Sequence, residues 1–170
     1  MGLAAEGDAR IRYAERAMPL LAALMERFGR ERPFDGLGVA ACLHITAETA
    51  NLVRLLRAGG AAVSLAASNP LSTQDDIAAA LAAAPGVTVQ ARSGVDRNAY
   101  YEHIHRVLDC GPDLVLDDGG DLVNTLHESR PELIGAVRGG CEATSTGAAR
   151  LGSGPRLATA AATGACSRSM

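Results

Sequence analysis

At the start of the chain apolar residues recur at helical spacing. Ile11, Met18, Leu21, Met25 and Phe28, with Arg and Glu between them, predict one amphipathic helix over about residues 4–29, or two joined near Pro19, closed by Gly29. The pattern then changes to four short runs rich in Val, Leu and Ala: Leu37 to Leu43, Ala61 to Ala66, Val87 to Ala91 and Leu114 to Leu116. Such runs suit buried strands. Helical patterning returns between them. Thr46 to Ala58 stops at Gly59-Gly60, Thr73 to Ala84 stops before Pro85, and Asp96 to Leu108 opens on an acidic cap and runs toward Gly111. A further helix is expected from near Leu122.

Strand alternating with helix predicts a parallel sheet, because parallel neighbours need a crossover and the crossover is usually a helix. The expected fold is therefore α/β, a three-layer Rossmann-like parallel sheet with helices on both faces. In such sheets ligands gather outside the carboxyl ends of the strands. Three polar segments fall there: Cys42 to Glu48 after the first run, Ser68 to Asp75 after the second, and Asp117-Asp118-Gly119-Gly120-Asp121 after the fourth. They should converge on one crevice.

Composition narrows the class. A length of 170 residues fits one domain with its own core. With 48% apolar but only 3% aromatic residues, that core must be built from Ala, Val, Leu and Ile. A net charge of -3, with Arg spread along the chain, gives no electrostatic footprint for nucleic acid or anionic lipid. Cys42, Cys110, Cys141 and Cys166 are far apart, with neither a Cys-x-x-Cys pair nor clustered His to complete a zinc site, so reduced thiols in a cytoplasmic protein are the simplest reading. The N-terminus has no signal pattern, and no apolar run approaches the roughly 18 residues that span a membrane. From Gly152 to Met170 Gly, Ala, Ser and Thr dominate without periodicity. A domain over 1–151 followed by an unrelated, disordered tail is expected, and the abrupt change suggests a truncated or frame-shifted gene.

Each polar segment has a chemical and a structural reading. His44, between strand and helix, can point into the crevice and move a proton, or can be a structural histidine. Thr46 is equally a helix cap, and Glu48 in the first turn favours the helix dipole. Ser72 with Asp75 matches a capping box, and Asp76 adds favourable charge. Asn69 before Pro70 marks a turn, while its amide can also reach a ligand. The three carboxylates around Gly119-Gly120 suit a magnesium site, acid-base work, ribose binding, or a turn that caps the helix near Leu122. No phosphate-binding glycine loop accompanies them, which counts against the metal. Gly139-Gly140 is not a dinucleotide loop, and Gly-x-Gly-x-x-Gly occurs nowhere in the chain.

Read together, these segments resemble the adenosylhomocysteine hydrolase family. The resemblance is carried in order by Met18-Pro19, Cys42-Leu43-His44-Ile45-Thr46 through Glu48-Thr49-Ala50, Asn69 through Ser72-Thr73-Gln74-Asp75, Leu116 through Asp121, and Thr144-Ser145-Thr146-Gly147. It covers about residues 4–151, the substrate-binding part of the family. It implies reversible hydrolysis of S-adenosyl-L-homocysteine to adenosine and L-homocysteine, a step of one-carbon metabolism. In that reaction bound NAD takes up and returns hydride at the ribose 3′ carbon while homocysteine is eliminated and water added. By resemblance His44 and Asp118 are the acid-base groups near the ribose and the leaving sulfur. Thr46 and Glu48 hold the adenine side, with Asn69 and Ser72 also in the substrate site. Thr144, Ser145 and Thr146 match positions that touch NAD from the substrate domain, and no metal is implied.

The departures are specific. Ala143 stands where the family has a glutamate contacting the ribose hydroxyls, and a methyl cannot replace a carboxylate. Ser145 replaces a threonine but keeps the hydroxyl. The family's later lysine and aspartate have no counterpart in Gly152 to Met170, and the NAD-binding domain is missing from these residues. The expectation is a chain that does not turn over alone. Three roles compete: an enzyme completed by a partner chain supplying the NAD domain, a catalytically silent module binding adenosine or S-adenosylhomocysteine, and a protein that forms a homo-oligomer through the helix ending at Gly29.

Overall fold

The computed structural model describes residues 2–153. In chain order its elements are α1 (Leu3–Glu15), α2 (Pro19–Glu31), β1 (Gly38–Leu43), α3 (Ala47–Ala58), β2 (Ala62–Ala67), α4 (Asp75–Ala82), β3 (Val87–Gln90), α5 (Arg97–Leu108), β4 (Leu114–Asp117), α6 (Asp121–Ser129), β5 (Gly139–Glu142) and α7 (Ser145–Ser153).

The amphipathic N-terminal stretch is two helices, with Pro19 opening the second, where its missing N–H costs nothing. Gly29 does not close it. The α2 helix continues to Glu31, and Arg32 takes the left-handed cap at φ 47°, its N–H bonding the Phe28 carbonyl. Gly59-Gly60 does stop α3, with Gly60 at φ 99°.

The five strands are all parallel, in the order β3-β2-β1-β4-β5. In β1 the side chains alternate between two cores. Val39, Ala41 and Leu43 join Val63, Leu65 and Ala67 of β2 beneath α1, α3 and α4, while Ala40 and Cys42 join Ala66, Val115 and residues of α5 and α6. Burial on both faces explains why these strands read as apolar runs rather than as alternating ones. The three-layer α/β reading therefore holds.

The strand order fixes where a ligand fits. The α3 helix leaves β1 for one face of the sheet and α6 leaves the adjacent β4 for the other. Their carboxyl ends diverge, and the gap is the switch point at which sheets of this type bind ligands.

Two elements were not expected. The β5 strand pairs Leu114 with Gly139 through Asp117 with Glu142, and α7 follows it. Gly139-Gly140-Cys141-Glu142 has no β-branched or aromatic residue, so only the ladder to β4 makes it a strand. Gly152 and Ser153, the first two residues of the expected tail, belong to α7. The rest of that expectation, from residue 154 on, lies outside the described residues.

Candidate active site

His44 follows β1 directly, and its backbone carbonyl accepts from Thr46 N–H in the turn that opens α3. Its ring reaches across the switch point. Nε2 lies 3.4 Å from Asp118 Oδ2, beyond β4, and Nδ1 lies 2.7 Å from Ser72 Oγ, beyond β2. The His44 side chain is 45% exposed and that of Asp118 17%, so the pair is open to a ligand on the imidazole side. Ser68, at the end of β2, donates its hydroxyl to the same Asp118 Oδ2 at 3.3 Å.

Ser72 departs from the expected capping box. It ends a short 3-10 turn over Pro70–Ser72, and α4 begins only at Asp75 with Gln74 as its cap position. The Ser72 hydroxyl instead lies 3.2 Å from the Asn69 carbonyl, to which it donates, and it faces His44. Asp75 accepts from Ser93 N–H rather than closing a box. Asn69 behaves as a turn residue, its side-chain oxygen accepting from Leu71 N–H at 2.9 Å.

Asp118 is positioned from below. Asp117 is fully buried, and its carboxylate accepts from Asp118 N–H at 2.9 Å and from Val123 N–H at 2.8 Å. It thus caps the first turn of α6 and fixes the backbone that carries Asp118. Burial pushes its pKa up from 3.8 to about 6, against the two backbone donors that lower it. Gly119 and Gly120 follow at φ 100° and 85°, left-handed values that L side chains rarely adopt. The capping reading of this segment therefore falls to Asp117, and Asp118 is left facing the crevice.

Glu142 closes the same turn from the neighbouring strand. Its Oε1 accepts from Gly119 N–H at 3.0 Å, from Thr144 N–H at 2.8 Å and from the Thr144 hydroxyl at 2.7 Å. Burial pushes this carboxyl up, but the bonds from Gly119 and Thr144 outweigh it and hold the pKa below the ordinary range. A Cβ on Gly147 would collide with the Glu142 carboxylate, so the close approach requires glycine there. Glu142 Oε1 is thus engaged by three donors, and the adjacent Ala143 N–H bonds the Asp117 carbonyl.

Among the described residues, the side chains of the remaining expected residues lie around this centre without hydrogen-bonding to the side chain of His44 or of Asp118. Thr46 Oγ1 caps α3 by accepting from Thr49 N–H, and hydrogen bonding to the Thr46 hydroxyl lowers the pKa of Glu48. Thr144, Ser145 and Thr146 sit at the carboxyl end of β5, one strand beyond Asp118. The Thr144 hydroxyl is spent between Glu142 and Gly147 N–H, while Ser145 and Thr146 are exposed. Sequence reasoning missed Ser68, Asp117, Glu142 and also Tyr100, whose hydroxyl lies 3.3 Å from the Ser68 carbonyl and 3.0 Å from Asp121 Oδ2, as parts of the site. The first two stood inside segments already singled out, but which of several adjacent polar side chains points inward depends on the strand register.

Among the described residues no helix is long and apolar enough to cross a membrane. Cys42, Cys110 and Cys141 are unpaired thiols, and burial followed by the nearby Asp117 charge pushes the Cys42 pKa well up.

Comparison with known proteins gives this geometry a family. The family described as S-adenosyl-L-homocysteine hydrolase matches residues 1–144. The adenosylhomocysteinase of Aquifex aeolicus is 52% identical over 89% of this chain, and that of Gloeobacter violaceus 50% over 88%. A protein of Methanococcus maripaludis named S-inosyl-L-homocysteine hydrolase is 45% identical over 89%. The chain spans about a third of the length of each, 36%, 35% and 36% respectively. With the family match covering most of its length and the characteristic segments meeting at one switch point, this chain belongs to the S-adenosyl-L-homocysteine hydrolase family.

Proposed function

We propose that this chain forms the substrate half of an NAD-dependent adenosylhomocysteine hydrolase, with residues 1–151 as its substrate-binding domain and adenosine and S-adenosyl-L-homocysteine as its ligands. The observation that carries the reading is the approach of His44 Nε2 to Asp118 Oδ2, 3.4 Å apart at the switch point. Because Ser72 donates to the Asn69 carbonyl, its oxygen is left to accept from His44 Nδ1–H. Nε2 is then the nitrogen that gains and loses a proton. A bare nitrogen beside a carboxylate is repulsive, so one proton is shared between them or with a ligand group placed there. That is an arrangement for taking a proton from one substrate atom and returning it to another.

The other residues support the same reading. Glu48, held ionised, offers an acceptor edge to a purine, with Thr46 beside it. NAD, when bound, supplies hydride transfer at the ribose. Ser145 and Thr146, exposed at the start of α7, fit an edge contact with it, whereas Thr144 holds the loop in shape. They do not amount to a dinucleotide site, and the chain carries no Gly-x-Gly-x-x-Gly turn. On these grounds the 170 residues by themselves bind the nucleoside without turning it over. Turnover requires the cofactor to be held by residues outside them, in a partner chain or a longer one. Ala143 favours the silent binding module as the second reading, since it offers the ribose no carboxylate.

Calorimetric titration with adenosine and with inosine, each with and without NAD, tests this. Micromolar adenosine binding that His44→Ala leaves largely intact, with no homocysteine released from S-adenosyl-L-homocysteine, is the expected result. No binding by a folded sample would overturn it, and a preference for inosine would move the substrate to the class named for the Methanococcus relative.

A further inference from the structure

We propose that Arg150 is a positioning residue for Asp118, through which the helix after β5 sets the acid-base pair. This rests on the reading of His44 and Asp118 given above. The backbone that follows Asp118 is two glycines at φ 100° and 85°, with no side chains to fix its course. Both polar groups of Gly119 are taken instead by side chains of the β5–α7 arm. Its N–H donates to Glu142 Oε1 at 3.0 Å, and its carbonyl accepts from Arg150 Nη1. The other guanidinium nitrogen, Nη2, lies 2.9 Å from Asp121 Oδ1. The planar fork of an arginine suits two such acceptors at once.

A second route runs through side chains. The Tyr100 hydroxyl, on α5, has two acceptors in reach of its one proton: Asp121 Oδ2 at 3.0 Å and the Ser68 carbonyl at 3.3 Å. Ser68 in turn donates its hydroxyl to Asp118 Oδ2. Arg150 therefore reaches Asp118 through the Gly119 backbone and through Asp121, Tyr100 and Ser68.

Packing decides the direction in which the constraint passes. β5 has no buried residue, and Gly147 is the one buried residue described in α7. An arm with so little core of its own takes its position from whatever lies against it. Thr146 and Arg150 are four residues apart on α7 and so share one face of the helix. A group that fixes the exposed Thr146 thereby fixes Arg150, and Arg150 passes the constraint to the turn that carries Asp118. Exposed ion pairs contribute little to stability, and the Arg150 and Asp121 side chains are 48% and 24% exposed. The loss of Arg150 should therefore show in the geometry of the pair more than in the stability of the fold.

NMR of the full chain with 15N-labelled histidine reads this at one pH, because His44 Nε2 lies 3.4 Å from Asp118 Oδ2. The His44 signals are identified by their absence in His44→Gln, and Asp118→Asn marks where they fall without the carboxylate. Arg150→Ala should move them part of the way to that mark, and Arg150→Lys less far, because an ammonium keeps the charge without the fork. A purely structural role would lower the urea midpoint and leave the His44 signals where they are. Signals unmoved in Arg150→Ala while Asp118→Asn moves them overturn the role of Arg150 alone. Signals unmoved in Asp118→Asn overturn the pairing of His44 with Asp118 and this inference with it.

Discussion

The carboxyl ends of β1 and β5 open on the same crevice but are held there by different forces. β1 is buried from Val39 to Leu43, with apolar side chains packed on both faces, so His44 emerges from the most constrained strand of the sheet. β5 has no buried residue, and it is kept in place by its ladder to β4 and by the hydrogen bonds around Asp117 and Glu142. Burial of apolar surface is indifferent to protonation, whereas carboxylate-to-amide bonds are not. The backbone at His44 is therefore held independently of pH, whereas the placing of Asp118 depends on the charge of Asp117 and the threonine segment after β5 on that of Glu142.

The largest effect should come from the core. Leu65→Ala removes a fully buried side chain of β2 and should cost about 2–5 kcal/mol, read as a lower urea midpoint. Cys141→Ala on exposed β5 should stay within about 0.5 kcal/mol. Equal losses in the two variants would erase the contrast between the strands.

Next come the two carboxylates, which pull in opposite directions with pH. Asp117 has a folded pKa raised to about 6 from 3.8, so the folded state binds its proton more tightly than the unfolded state does. Its contribution is complete below the unfolded value and is lost as pH rises toward 6. Glu142 is lowered from 4.5, so its contribution is present above that value and is lost as pH falls through the folded pKa. Asp117→Asn points an amide donor at the N–H of Asp118 or Val123, and Glu142→Gln weakens charge-assisted bonds to Gly119 and Thr144. Each should cost about 1–3 kcal/mol. Urea midpoints taken between about pH 4 and 7 should show Asp117→Asn without the wild-type fall over that window, and Glu142→Gln without the wild-type loss at its acid end. Slopes of the same sign in both variants would contradict the assignment of opposite shifts.

The smallest effects are local. Asp96→Ala removes the cap that accepts from Ala99 N–H at 2.9 Å and should cost about 1 kcal/mol of thermal or urea stability. Arg30→Ala breaks an exposed i,i+4 pair with Glu26 and should cost less than about 0.5 kcal/mol. A surface pair as costly as the cap would mean that α2 is held more tightly than its half-buried side chains imply.

The chain by itself determined the four apolar strands, the helices between them, the parallel α/β class and the segments that meet at the site. All of these follow from local periodicity, caps and breakers. It did not announce β5, because Gly139 to Glu142 becomes a strand only by pairing with Leu114 to Asp117. It suggested a helix cap for Ser72, and tertiary structure turned that hydroxyl to His44 instead. It offered Asp117, Asp118 and Asp121 as equals. The register between β1 and β4 then buried the first as a cap, set the second against His44 and left the third to Tyr100 and Arg150. Spacing along the chain reports which residues lie near one another on a single element, while the approach of side chains from different strands is settled only by how those strands pair, since one step of register reverses every side chain.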